Sequence, residues 1–100
     1  MLNDLNLRQL LRDVLHQRLP NVDLQEILTE QVIDSEGKDA LRITLVIPDE
    51  SVDAITGNQA LDLIVDVQKG LSAQGDDRLA VIRYATPADL AEQNAQQDDD

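Results

Sequence analysis

Leu41-Arg42-Ile43-Thr44-Leu45-Val46-Ile47, closed by Pro48, is the stretch that most limits what this chain can fold into. With side chains alternating between faces, Leu41, Ile43, Leu45 and Ile47 share one side, and Arg42, Thr44 and Val46 share the other. The β-branched content suits a pleated strand. The pattern predicts a central strand, buried on one face and half covered on the other.

The rest of the core has to be aliphatic, because Phe and Trp are absent and Tyr84 is the only aromatic residue. One hundred residues make one domain that can bury such a core without a staple, with a margin of ~5 to 10 kcal/mol. The absence of cysteine excludes disulfides, thiolate metal sites and cysteine nucleophiles, and makes a reducing cytoplasm the natural compartment. The amino end has no basic region followed by an apolar run, and no apolar stretch is long enough to span a bilayer. The expectation is a soluble cytoplasmic chain with no membrane partner.

Charge narrows the partners. Twenty acids against eight bases leave a net charge of −12, and residues 1–85 alone carry fifteen acids against eight bases, a net −7. Phosphate binding depends on basic residues that release counterions, and single-stranded nucleic acid is usually held on aromatic platforms. Direct nucleic-acid binding is therefore not expected. From Thr86 onward Asp89, Glu92, Asp98, Asp99 and Asp100 stand without a base.

Helical spacing runs through Leu7, Leu10, Leu11, Val14, Leu15 and Leu19, with Asn6 read as N-cap and Pro20 as the stop. Arg8, Arg12 and His16 fall on the polar side within about 80°. The plain reading of that basic stripe is a solvated face; the sharper one is contact with an acidic partner or a phosphate. Residues 22–33 fit either a short helix or a strand. The polar, glycine-containing connection Asp34-Ser35-Glu36-Gly37-Lys38-Asp39, of hairpin type, favours a strand over residues 26–34.

After Pro48 a loop with one helical turn around Val52 to Ile55 leads to a second long helix. Thr56 as N-cap and Gln59 at N3 form its capping box, and Gly75 closes it. Its apolar residues, Ala60, Leu61, Leu63, Ile64, Val65, Val67 and Leu71, cover an arc of about 200°, wider than the ~100° a surface helix needs. Such a helix lies between sheet and first helix, or offers part of its arc to a second chain. Asp76-Asp77 turn into a third strand, Leu79 to Ala85. Thr86-Pro87-Ala88-Asp89 then starts a short helix ending near Asn94. Residues 95–100 form a polar tail expected to be disordered.

The fold class is α+β: a small single domain over residues 1–94, in the order helix, strand, strand, helix, strand, helix. A three-stranded mixed sheet carries its helices on one face. In layout this order resembles a type II KH domain or a truncated ferredoxin-like unit. A KH domain clamps RNA with a Gly-x-x-Gly loop, whereas beyond Gly37 in the hairpin connection this chain offers only the isolated Gly57, Gly70 and Gly75. The resemblance brings no RNA-binding residue with it.

No catalytic constellation stands out. His16 is the only histidine, set on a polar helix face with no glycine-flanked serine to serve, so neither a Ser-His-Asp triad nor a histidine zinc site is expected. Asp62 and Asp66 repel at i, i+4 unless a cation such as Lys69 lies between them. Asp34 to Asp39 lacks calcium-loop spacing, and Asp49, Glu50 and Asp53 are at most a weak magnesium site. Phosphate-cradling glycine motifs are missing, so no cofactor is expected.

What remains is a non-enzymatic acidic protein that binds another protein with a basic surface and neutralises or regulates it, as an antitoxin, immunity protein or inhibitor does. The candidate contacts are Asp49, Glu50, Asp53, Asp62 and Asp66, with Leu61 and Val65. The alternative is an accessory subunit or homodimer that associates through the apolar arc of helix 56–74.

Overall fold

The computed structural model describes residues 2–97. At its centre is β2 (Asp39–Val46), flanked by β1 (Glu26–Ile33) and β3 (Leu79–Ala85) in the order β1-β2-β3. β1 is antiparallel to β2, with Ile27 opposite Leu45, and β3 is parallel to it, with Tyr84 beside Leu45. The sheet is thus mixed. Leu41, Ile43, Leu45 and Ile47 are all buried, while on the other face Thr44 and Val46 are also buried and Arg42 is half-buried.

The segment with two readings is a strand because the connection after it closes a hairpin. Asp34 Oδ1 accepts from the N–H groups of Glu36 and Lys38, both at 2.9 Å, and Gly37 supplies the positive φ of +80°. That fixes register, so Ile27 falls on the covered face and is 1 % exposed.

Two helices cover that face: α1 (Asp4–Arg18) and α3 (Gly57–Ala73), with the single turn α2 (Asp49–Val52) between β2 and α3. Leu7, Leu11, Leu15 and Leu19 from the first helical segment and Leu63, Val67 and Leu71 from α3 meet Ile27, Leu41, Ile43 and Leu45 in one aliphatic core. The two helices cross where α3 has no side chain. A Cβ on Gly70 would come within 2.8 Å of Leu10 Cδ1.

Three boundaries differ from the sequence reading. The N-cap of α1 is Asn3, whose Oδ1 accepts from Asn6 N–H at 2.8 Å, so the helix starts one turn before Asn6. The apolar pattern hides that turn because Leu5 is 75 % exposed and Leu2 packs on the core from outside the helix. The turn after Pro48 forms immediately, at Asp49–Val52, rather than around Val52 to Ile55. Finally, α4 (Pro87–Gln97) passes Asn94, since Ala95-Gln96-Gln97 contains no helix breaker; the end of the expected tail, residues 98–100, lies outside the described residues.

The capping box at Thr56 and Gln59 forms with both bonds present. Thr86 and Asp89 make the equivalent pair at α4. Among the described residues no helix is long and apolar enough to cross a membrane.

At the far end of α3, Gly75 takes φ +77° and Asp76 N–H reaches Leu71 O at 2.9 Å, a Schellman closure. It carries Asp76 inward. There the carboxylate, 1 % exposed, receives Arg78 Nε at 3.0 Å and Nη2 at 2.6 Å, together with the backbone N–H groups of Arg78 and Leu2. The Arg78 hydrogen bonds hold the Asp76 carboxyl far below the usual carboxylate range, against the opposing effect of burial.

Candidate functional site

The residues singled out from sequence divide between three places. Asp49 and Glu50 are exposed on α2 and Asp53 follows it, in the loop that feeds α3. Asp62 and Asp66 stand on the flank of α3 turned toward α1, where Arg18 Nε donates to Asp66 and Arg18 Nη1 lies 3.9 Å from Asp62. The cation that answers this pair is therefore Arg18, from the neighbouring helix, and not Lys69. The Asp66 bond and charge raise Arg18 above its ordinary pKa.

Leu61 and Val65 sit on the opposite flank, 63 % and 47 % exposed, with Ile64 at 39 %. At 100° per residue, Leu61, Ile64, Val65 and Gln68 fall within about 100° of each other. The other half of the apolar arc, centred on Leu63, Val67 and Leu71, is the half that the core consumes. Helix α3 therefore does both things its arc allowed: it packs on sheet and first helix, and it leaves three apolar side chains open.

What those side chains border is set by Gln68. Its Nε2 donates to Arg78 O at 2.9 Å and its Oε1 accepts from Ala80 N–H at 3.0 Å, so the amide pairs with the outer edge of β3 as a strand would. Backbone N–H direction alternates along a strand. Since Ala80 points away from β2, Ile82 and Tyr84 do too, and β3 is the last strand of the sheet. A helix linking two parallel strands runs opposite to them, so the stripe Leu61, Ile64, Val65 lies further along the same edge. An apolar helical flank therefore runs beside the outer margin of β3, where among the described residues the outward backbone groups of Ile82 and Tyr84 have no hydrogen-bond partner. On the uncovered face of β3, Leu79 and Val81 are 51 % and 46 % exposed.

The basic stripe of α1 is only partly a solvated face. Arg8 Nη1 donates to Ile27 O at 2.9 Å, tying the helix to β1. Arg12 and His16 line a cleft of about 290 Å³ with Leu15, Leu24, Leu45 and Ile55, and with Tyr84 at the end of β3. The Tyr84 hydroxyl is shut from solvent and has no hydrogen-bond partner among the described residues. Such an unmade bond costs about 1–3 kcal/mol, and burial pushes the phenol above its ordinary pKa.

No group of three or more His, Asp or Glu side chains able to hold a metal forms among the described residues. Asp49, Glu50 and Asp53 do not converge on such a centre. No family model matches the chain, and neither a curated protein nor a solved structure shows significant similarity to it.

Sequence reasoning missed Gln68 and the Asp76–Arg78 pair. Gln68 had a signal: it is a polar residue in the middle of the apolar arc, between Leu61 and Ile64, which asks for a backbone partner. Asp76 had little, since an acid beside a helix-closing glycine is ordinarily solvated.

Proposed function

We propose that this chain is a non-catalytic cytoplasmic binding module that captures an extended segment of a partner protein along β3, and thereby regulates or neutralises that partner in the manner of an antitoxin, immunity protein or inhibitor. The observation that carries this reading is the exposed flank of Leu61, Ile64 and Val65 beside the last strand of the sheet, with Ile82 and Tyr84 on its outer margin. Backbone pairing along an edge gives affinity, and side-chain contacts on alternate residues give specificity. Burying the exposed half of each of the three side chains adds ~1 kcal/mol apiece.

The partner segment is apolar in alternation and basic at its flanks. The net charge of −12 favours a cationic surface and repels anionic ones. Asp49 and Glu50 on α2, and Asp53 just after it, stand near the end where β3 finishes, whereas Asp62, beside Arg18, lies on the flank of α3 turned toward α1. Asp66 serves less as a contact, because Arg18 already holds it. A second reading is a homodimer in which two β3 strands pair antiparallel. It is favoured by the exposure of Leu79 and Val81 on the same strand.

A photo-crosslinking residue placed at Val65, with a control at the exposed Leu5, tests both. Expressed in the native host, the Val65 probe should trap a discrete adduct through an alternating apolar and basic peptide, lost with Leu61→Asp and weakened by 0.5 M salt, where the Debye length is ~4 Å. An adduct between two copies of the chain, with a dimer by light scattering, selects the second reading. Equal trapping at Leu5 and Val65, or none at either, removes this margin from consideration.

A further inference from the structure

We propose that the cleft between the second half of α1 and the finishing ends of β2 and β3 binds a small amphipathic molecule, with a short apolar body and one carboxylate head group. This is a different face from the β3 margin and does not rest on it.

Four observations converge. Six aliphatic side chains, Leu15, Leu19, Leu24, Leu45, Ile47 and Ile55, line it, and polar groups supply slightly more than half of its surface, so the cleft is itself amphipathic. Ligand clefts typically span ~300 to 1,000 Å³, so about 290 Å³ suits a short chain and not a nucleotide. The position, beyond the carboxyl ends of a parallel strand pair, is where open sheets with helical crossovers place ligands.

Of the cleft's charged side chains, Arg12 is the cation and Asp23 the one acid. Six of the eight basic residues are engaged inside the protein: Arg8 by Ile27 O, Arg18 by Asp66, Lys38 by Glu36, Arg42 by Glu30, Arg78 by Asp76 and Arg83 by Thr44. Arg12 lines the cleft and has no such partner among the described residues. In a chain with twenty acids, a cation left unpaired at the mouth of an apolar cleft selects an anion. His16 is next to it on the helix as a second donor, one turn on.

The Tyr84 hydroxyl completes the set. It is a donor without an acceptor, closed off from solvent beside the cleft. A phenol is protonated at neutral pH, and burial only pushes its pKa further up. A carboxylate held by Arg12 gives that donor an acceptor once the phenol turns toward the cleft, since its hydroxyl is closed even to water in the unliganded chain. Asp23, the one acid lining the cleft, repels the head group from its own side and turns it toward α1.

Tyr84 is the only aromatic residue, so tyrosine emission reports this cleft alone. Sodium octanoate and uncharged 1-octanol are titrated in parallel at pH 7.5 and low salt, by emission and by calorimetry. Octanoate should give a saturable change and bind about tenfold more tightly than octanol, the effect of one charge-assisted contact. Arg12→Gln should remove that difference while leaving octanol binding unchanged, and Lys69→Gln should change neither. Tyr84→Phe, read by calorimetry, should weaken octanoate about fivefold through the lost hydrogen bond. Circular dichroism of each variant establishes that it folds. Equal binding of the two ligands, no saturable binding of either, or octanoate binding that survives Arg12→Gln intact would each overturn the proposal.

Discussion

Replacing Arg78 with Met keeps most of the aliphatic volume and removes the two guanidinium bonds to Asp76. The carboxylate would stay 1 % exposed, with only the backbone N–H groups of Arg78 and Leu2, at 3.1 and 3.2 Å, to answer its charge. Breaking a buried pair from one side costs about 3–5 kcal/mol, a large share of the ~5–15 kcal/mol that holds a domain of this size together. With a urea slope near ~1.5 kcal/mol/M the midpoint should fall by about 2–3 M. Removing both charges, as Asp76→Leu with Arg78→Met, should recover most of the loss, because the desolvated carboxylate is gone as well. Urea melts of wild type, both single variants and the double variant, followed by circular dichroism, give the coupling directly. If Arg78→Met lowers stability by less than about 1 kcal/mol, or if the double variant is worse than the sum of the singles, Asp76 is not held as described.

The same pair sets a pH dependence. The folded-state pKa of Asp76 is lowered, so its stabilisation is full above the unfolded value of ~3.9 and disappears as pH falls from there toward the folded value. The urea-midpoint gap between wild type and Asp76→Asn should be constant from pH 7 to 5 and narrow below pH ~4; a gap that widens on acidification contradicts it. Ile43→Ala, at a side chain with 0 % exposure, should cost 2–5 kcal/mol by denaturant titration, roughly the loss for a cavity in a packed core. Leu61→Asp should leave the thermal midpoint nearly unchanged, since Leu61 is 63 % exposed, while abolishing crosslinking from the probe at position 65. Gly75→Ala, at φ +77°, should lower stability by about 1 kcal/mol, because an alanine there is forced into the left-handed region.

What could be read from the sequence was what local chemistry decides. The central strand announced itself because Leu41, Ile43, Leu45 and Ile47 alternate with Arg42, Thr44 and Val46, which leaves one face wholly aliphatic and half covers the other. Thr56 with Gln59 and Thr86 with Asp89 satisfied their own helix starts, so those boundaries needed no tertiary information. Asn3 is a local cap as well, but it was masked by a first turn with no inward-facing leucine.

The candidate sites were less legible, because each depends on a meeting between distant segments. Leu61 and Val65 were visible as surplus apolar surface, yet what they border is fixed by Gln68 reaching across to Arg78 and Ala80. Asp66 looked like a free charge until Arg18, 48 positions away, was brought beside it. The cleft under α1 exists only where four elements fail to close completely, and no spacing rule encodes an incomplete closure.

Gln68 also governs how this protein behaves in a crowd. A three-stranded sheet with a bare margin is a template on which copies stack indefinitely, and evolution usually defends such margins with lysines or prolines. Here a single carboxamide seals the first half of the margin and leaves two outward positions usable. A short visiting strand can register there, but a full-length neighbour collides with the amide before it can zip up. Substituting that one glutamine would bare the start of the β3 margin to a neighbouring strand, since Arg78 O and Ala80 N–H would lose their partner.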